Sequence, residues 1–424
     1  MKAFFIFMFK KSILIILFIP FFLISYENQV DSIIITGNDK TKNHVILREI
    51  MHPVNQELDS LLMKNDINRL YNLGIFSSVD IKLKKNVYEI MLVESFSIIP
   101  DLVIDYSEIA DQWSYGLGLA HINFMGLNQD LYIGGAFIGE KWFALALNNP
   151  WIYGDHISFT TRLFNRFSDN PFYNYRFNET YFSIKTGFFT NLNNQFEYGL
   201  SFYRNKKSTL SNLIPLSEKN IYKYFNFEFD YQYDSRDVYN DPTKGLNYGF
   251  SLRFSKSMLE TSPDVGAFNI FYNKYILLNI KHFHEPVISY GLYSLVKFPN
   301  FSELPIHEYE YIGGVDYIRG YSSDPYDYPD NFDKSLEVSN LIYNYIEFQS
   351  TVLKKRDYGK IEFGIDGILF INSGIGSKSV EDLSINNLLF GYGFGFKFFI
   401  TGPPPISILI GFNPYGQNFI HIED

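Results

Sequence analysis

From about Phe96 onward, apolar and polar residues alternate with period two, which places each set on one face of a β-strand. Phe225, Phe227, Phe229, Tyr231 and Tyr233 alternate with Asn226, Glu228, Asp230 and Gln232. Tyr248, Phe250, Leu252 and Phe254 alternate with Gly249, Ser251 and Arg253, and Phe390 to Phe398 with Gly391, Gly393, Gly395 and Lys397. A soluble sheet with one wet face alternates in the same way. Length separates the two. These segments run about 9–13 residues, as a tilted strand needs to cross a bilayer, against about 5–6 in soluble proteins.

Alternation and turn signals mark out about sixteen such segments, from 98–107 through 287–299 and then from 337–350 through 416–423. An even number brings both ends of the region to one side. Short connections at Gly126-Leu127-Asn128, Arg356-Asp357-Tyr358 and Gly402-Pro403-Pro404 fall on that side, and the longest, 300–336, on the other. Short inner turns and long outer loops are the asymmetry of an outer-membrane barrel. The predicted fold is therefore mainly β: an antiparallel transmembrane β-barrel of about 16 strands over 96–424, closed because lipid offers no partner to an open sheet edge.

Residues 29–95 follow another rhythm. Val30–Thr36 reads as a strand ending at Gly37-Asn38, Asn43–Met51 and Leu58–Leu73 as helices, and Val79–Lys84 with Tyr88–Glu94 as a hairpin about Lys85-Asn86. Met63, Ile67, Leu70 and Tyr71 recur at helical spacing, and Gly74 stands where a C-terminal cap belongs. Strand, helix, helix, strand, strand make a small α+β domain. Ahead of it, Lys2, Lys10 and Lys11 precede an apolar run from Ile13 to Ile24. That run is short for a spanning helix, which needs about 20 apolar residues, so residues 1–25 are expected to be a secretory signal peptide rather than an anchor.

Composition narrows the function. The chain has no cysteine, which excludes a lipoprotein anchor, a disulfide scaffold and a thiolate metal site. A net charge of −10 argues against a nucleic-acid partner. His282 and His284, two apart on one expected strand, make only a weak metal pair, and no cofactor is expected. Nucleophile–base arrangements, phosphate loops and dinucleotide fingerprints do not occur, so no enzymatic activity is expected.

Several stretches resemble a known family. The segment IIITGNDKTKNHVILREI with INRLYNLGIFSSVDIKL looks like a POTRA domain. YDSRDVYNDPTKGLNYGFSLRFS (233–255), YIGGVDYIRGYSS (311–323), LFINSG (369–374) and the C-terminal GFGFKFFITGPPPISILIGFNPYGQNF resemble the barrel of the BamA/TamA outer-membrane superfamily. The resemblance implies a bacterial outer-membrane protein, its POTRA domain in the periplasm, that assembles or translocates other proteins. It implies capture of unfolded outer-membrane or secreted polypeptides, periplasmic accessory factors at the POTRA domain, contact with outer-membrane lipid, and lateral opening between the first and last strands of a monomeric barrel. Three features depart from the best-studied relatives: a single POTRA domain, Asn372 where an Asp is usual, and an ending in His421-Ile422-Glu423-Asp424 rather than an aromatic residue.

The resemblance also assigns residues. The 300–336 loop is implied to fold into the lumen, with Arg319, Gly320 and Tyr321 at its tip, Gly313 and Gly314 permitting tight turns, and the guanidinium meeting acids on the wall. Parity supplies the partners. Ile342, Ile346 and Phe348 face outward, hence Tyr345, Glu347 and Gln349 inward; Ile361, Phe363, Ile365 and Leu369 face outward, hence Glu362, Asp366 and Asn372 inward. With Asn372 uncharged, Glu347 or Asp366 is expected to carry the pairing. Asp234, Arg236 and Asp237, with Gly245, are expected to form a structural periplasmic turn near the POTRA junction. At the seam, Pro100 on the first strand lacks an amide donor and suits an edge, and Val103 and Asn418 are expected near the middle of the first and last strands. A dedicated secretion pore of the same superfamily is the alternative, though residues 26–29 leave no room for an N-terminal plug helix. A passive porin is a further alternative, with no need of a POTRA domain or an Arg-Gly-Tyr loop.

Overall fold

The computed structural model describes residues 29–107, 112–153, 156–170, 175–209, 221–314, 316–322, 328, 332, 334, 336–400 and 404–423. The segment assigned to a signal peptide lies outside them, as does most of the Gly402-Pro403-Pro404 connection.

The N-terminal domain comprises β1 (Gln29–Val30), β2 (Ser32–Thr36), α1 (Asn43–Leu47), β3 (Gln56–Glu57), α2 (Ser60–Asn72), β4 (Phe76–Lys84) and β5 (Val87–Glu94). Its sheet has the order β2-β5-β4, with β2 parallel and β4 antiparallel to β5. Leu70 from α2 and Ile46 from α1 pack with Phe76, Ile81, Tyr88, Ile90 and Leu92 into one core. The Asp59 side chain caps α2 by accepting from the amides of Leu61 and Leu62. Gly74 ends it at φ +71, and its amide donates to the Tyr71 carbonyl at 3.0 Å.

Two expectations change here. The helix predicted over Asn43–Met51 stops at Leu47. The Asp66 carboxylate, itself fully buried, takes the amides of Met51 at 2.7 Å and His52 at 3.2 Å, so α2 supplies acceptors that a longer α1 would have supplied. The strand predicted over Val30–Thr36 is interrupted at Asp31, whose amide leaves the ladder for the Asn86 carbonyl.

The remainder is one sheet of sixteen antiparallel strands in which each pairs with its neighbours in sequence. They are β6 (Ile98–Ser107), β7 (Gln112–Phe124), β8 (Gln129–Ile138), β9 (Trp142–Asn149), β10 (Ile157–Asn170), β11 (Tyr175–Asn191), β12 (Asn194–Thr209), β13 (Ile221–Asp234), β14 (Gly245–Ser257), β15 (Val265–Leu277) and β16 (Val287–Phe298). After the long loop, which holds the short pair β17 (Glu310–Tyr311) and β18 (Glu337–Val338), come β19 (Asn340–Tyr358), β20 (Ile361–Ser377), β21 (Leu389–Ile400), β22 (Ile406–Phe412) and β23 (Asn418–Glu423).

The sheet curls into a barrel whose apolar face is outside. Leu102, Leu117, Leu369 and Ile420 are 69%, 63%, 57% and 72% exposed, a level no aqueous surface would favour across a whole face. Charged side chains turn inward and pair there, as Lys185 does with Glu228 at 2.6 Å.

Two further expectations are corrected. β19 runs on to Tyr358, and the turn falls at Gly359 and Lys360, not at Arg356-Asp357-Tyr358. Register shifts between Thr351 and Leu353 and between Leu353 and Arg356 break the alternation that marks a strand, while pairing with β20 continues. His282 and His284 lie in the β15–β16 turn rather than on a strand, and among the described residues no three His, Cys, Asp or Glu gather as metal ligands.

Candidate functional site: the loop latch, the periplasmic turn and the seam

The chain leaves β16 at Phe298 and turns into the lumen. A single 3-10 turn, Ile306–Glu308, sets Glu308 against the wall, where its carboxylate meets Arg253 of β14 at 2.5 Å and Lys297 of β16 at 3.2 Å. Lys297 also donates to the Glu308 carbonyl at 2.6 Å and lies 2.7 Å from Glu310. Beyond this anchor, β17 and β18 pair at the loop's base, and Ile312, Ile318 and Tyr321 bury themselves against Leu336, Val338, Leu341 and Leu389. Loop and wall share this hydrophobic core, with Leu295 of β16, Leu341 of β19 and Leu389 of β21 supplying the wall's part, and its burial holds the loop against the barrel.

Arg319 stands at the tip, only 5% exposed. Its Nη1 lies 2.9 Å from Glu347 of β19, its Nε donates to Asn372 of β20 at 3.1 Å, and its guanidinium sits 4.0 Å over the Phe370 ring. A planar fork with five donors can make these contacts together, where a lysine could not. The wall accommodates the tip through its glycines. A Cβ added at Gly391 would overlap the Arg319 carbonyl, and Gly320 itself has φ +97. Gly313 is bridged to Ile318, and Gly314 turns the chain at φ +94.

Of the two acids expected to meet Arg319, Glu347 does and Asp366 does not. Asp366 accepts from Gln349 at 2.5 Å, lower in the barrel, because it stands six residues along β20 from Asn372 and the loop tip does not descend that far. Sequence reasoning passed over Glu423, 3.7 Å from Arg319, and His421 and Asn413, which bond the Gly320 backbone. Parity on the last strand contained that signal: exposed Ile420 and Ile422 require His421 and Glu423 to face inward. The Glu308 anchor was not legible, since nothing in sequence joins a loop acid to Arg253.

Below the latch, the β13–β14 turn is tightly organised. Arg236 forms a fork with Asp234, Nε to Oδ1 at 3.0 Å and Nη2 to Oδ2 at 2.6 Å. Asp237 Oδ1 accepts from the amides of Val238, Thr243 and Lys244, and Gly245, at φ +114, lets the chain re-enter β14. A polar cavity of about 300 Å³ separates this turn from Arg319, with Glu347, Lys397 and Glu423 on its walls. The N-terminal domain docks on the same turn: Asn72 donates to the Asp237 carbonyl at 3.1 Å and accepts from the Tyr239 amide at 2.9 Å. Around the rim, Ser77 bonds the Gly359 carbonyl, Tyr71 bonds Glu362, the Lys42 amide bonds the Gly126 carbonyl, and Arg48 lies 4.5 Å over Trp151. These contacts reach four separate turns, so the domain sits across the mouth rather than beside it.

The seam differs from every other strand boundary. β6 and β23 are the two edges of the sheet, and among the described residues no backbone ladder joins them. Pro100 lies on β6 opposite Leu119 of β7. Val103 faces the lumen, 8% exposed, whereas Asn418 is the first residue of β23 and points outward. Val103 lies near the middle of β6 as expected, whereas the expected mid-strand position of Asn418 is corrected. Asn413 accepts from the amides of Tyr415 and Gln417 and so holds the preceding turn out to Gln417.

Residues 123–413 match the Omp85 superfamily domain, and residues 29–93 match the POTRA family described as a surface antigen variable number repeat. Among solved structures, the chain resembles BamA from Haemophilus ducreyi lacking POTRA domains 1–3, with 16% identity and a TM-score of 0.55, over 94% of this chain and 84% of that one. It also resembles CdiB from Escherichia coli, with 12% identity and a TM-score of 0.55, over 94% and 75% of the two chains. CdiB from Acinetobacter baumannii follows at 13% identity and a TM-score of 0.50, over 92% and 71%. At these identities the likeness is one of fold: a 16-stranded outer-membrane barrel with its POTRA domain on the periplasmic side. The family match covers well over half of the chain, and the protein belongs to the Omp85 superfamily.

Proposed function

We propose that the protein is an outer-membrane assembly or translocation factor that receives unfolded polypeptides at its POTRA domain and opens its barrel laterally between β6 and β23. The observation that carries this reading is the seam. Among the described residues every other pair of neighbouring strands is laddered, while these two edges are not, and β23 has only six residues with which to pair. An edge whose amides and carbonyls lack partners in lipid is a template for an incoming strand. The POTRA sheet offers a second edge, β4, to an extended segment of substrate or accessory factor. In this reading the loop latch keeps the lumen filled, so that substrates pass along the seam rather than through the pore.

The test locks the seam. Leu102 of β6 and Ile420 of β23 both face lipid and lie outside the latch, and the chain has no cysteine to compete. Leu102→Cys is combined in turn with Asn418→Cys, Ile420→Cys or Ile422→Cys, and oxidised. A disulfide forms where Cβ atoms come within about 3.5–4.5 Å. The locked protein should stay folded and inserted but lose substrate insertion or export, with recovery on reduction. Undiminished activity of a fully crosslinked barrel would remove lateral opening and favour passage through the pore.

A further inference from the structure

The loop tip is bound to two places on the wall that are not adjacent. On one side Arg319 holds Glu347 of β19 and Asn372 of β20. On the other, the backbone of Gly320 is held entirely by the last hairpin: its amide donates to Nε2 of His421 at 2.9 Å, and its carbonyl accepts from Nδ2 of Asn413 at 2.9 Å. His421 and Asn413 are 6% and 3% exposed. A Cβ at Gly411 of β22 would overlap the Gly320 amide, so the tip lies directly on this hairpin. Arg319 adds a longer contact to Glu423.

We infer that His421 on the last strand and Asn413 in the turn before it clasp the loop tip to the last hairpin, so that the seating of the loop and the position of the seam strand form one equilibrium. The physical reason lies in what β23 has to hold it. Among the described residues it is laddered to β22 alone, over six residues, and its other edge is the seam. Drawing β23 away from a seated loop would strip the buried Gly320 amide of its acceptor His421, and carrying the β22–β23 turn with it would strip the Gly320 carbonyl of its donor Asn413, which is costly. The loop must then move with the strand, or the strand must stay. Such coupling is reciprocal: a change made only in the loop loosens β23, and a change made only in β23 loosens the loop. His421 and Asn413 are positioning residues here, acting through Gly320. The inference rests on the reading of β6 and β23 as the working seam.

The full-length protein in phospholipid vesicles supports both readouts. Spin labels at Leu102→Cys and Ile420→Cys report the seam distance, and maleimide labelling of Ser322→Cys reports the loop. Arg319→Ala, His421→Leu and Asn413→Ala should each broaden and lengthen the 102–420 distribution, and each should speed labelling at 322, by roughly five- to tenfold for the two hairpin variants and by about a hundredfold or more for Arg319→Ala. His421→Gln, whose amide oxygen can accept where Nε2 does, should restore both readouts; a merely structural requirement for the ring would not be met by it. If Arg319→Ala speeds loop labelling while the seam distance stays that of the parent, loop and strand are independent and the inference falls. Should His421→Leu fail to fold, judged by heat-modifiable migration, Arg319→Ala and Asn413→Ala decide the matter. Coupled readouts in a protein whose crosslinked seam remains active would keep the clasp and discard lateral opening.

Discussion

Replacing Arg319 by Ala removes a guanidinium that touches Glu347 at 2.9 Å, Asn372 at 3.1 Å and the Phe370 face at 4.0 Å. The Glu347 side chain is 16% exposed and is left without its cation. Breaking a buried ion pair from one side costs about 3–5 kcal/mol, because the remaining charge keeps its desolvation penalty. The loop, rather than the barrel, should register that cost, since it can lift while the sixteen-strand ladder stays intact. At about 1.4 kcal/mol per decade the seated state loses roughly a hundredfold to a few thousandfold in population relative to unseated ones. Hydrogen exchange should show it. The Gly320 amide, bonded to His421, should exchange faster by a comparable factor. The Ile312 amide, bonded to Leu336 near the loop base and supported by the Glu308 anchor, should change much less. A double-mutant cycle with Glu347→Ala isolates the pair. The two single losses should overlap, leaving a coupling of about 2–3 kcal/mol, near the upper end for residues in contact. Arg319→Lys should fall between, since an ammonium can approach Glu347 but cannot also reach Asn372 and lie flat on Phe370. Additive losses would refute the latch, as would equal acceleration at tip and base.

Other perturbations follow from the same geometry. Gly391→Ala places a methyl group against the Arg319 carbonyl and should unseat the tip as Arg319→Ala does, read by the same exchange at Gly320, although every latch side chain is retained. Asn72→Ala removes both bonds to the β13–β14 turn and should shift the POTRA docking equilibrium by about tenfold, measured as faster protease cleavage between the domains. Burial holds the Glu49 carboxyl above its ordinary range, a larger effect than the opposing pull of Arg69 and Arg48. A raised carboxyl stabilises the fold below its unfolded pKa and loses that contribution as pH rises through the folded one. Protection of the β5 amides, corrected for intrinsic exchange, should therefore decline from pH 4 towards neutrality more steeply in the parent than in Glu49→Gln.

Much of this molecule is written in local pattern. Period-two alternation places each strand and each side chain's face, because a barrel strand has lipid on one side and a polar lumen on the other. That is why the parity of Ile342 and Ile346 was enough to turn Glu347 inward, and why the strand edges expected at 98–107 coincide with β6. Alternation fails where backbone geometry departs from the ladder: the irregularities after Thr351 hid the last eight residues of β19. It is silent on which inward-facing groups meet. Whether Glu347 or Asp366 answers Arg319 depends on how deep the loop descends, and that depth is set by the packing of Ile312, Ile318 and Tyr321 on wall residues such as Leu341 and Leu389 and by glycine clearances on β21 and β22. The Glu308 anchor joins residues 55 positions apart, and the His421 clasp residues 101 apart. Contacts of that range leave no local trace, since they are made by closing the sheet and folding the loop inside it, and only the tertiary structure brings them together.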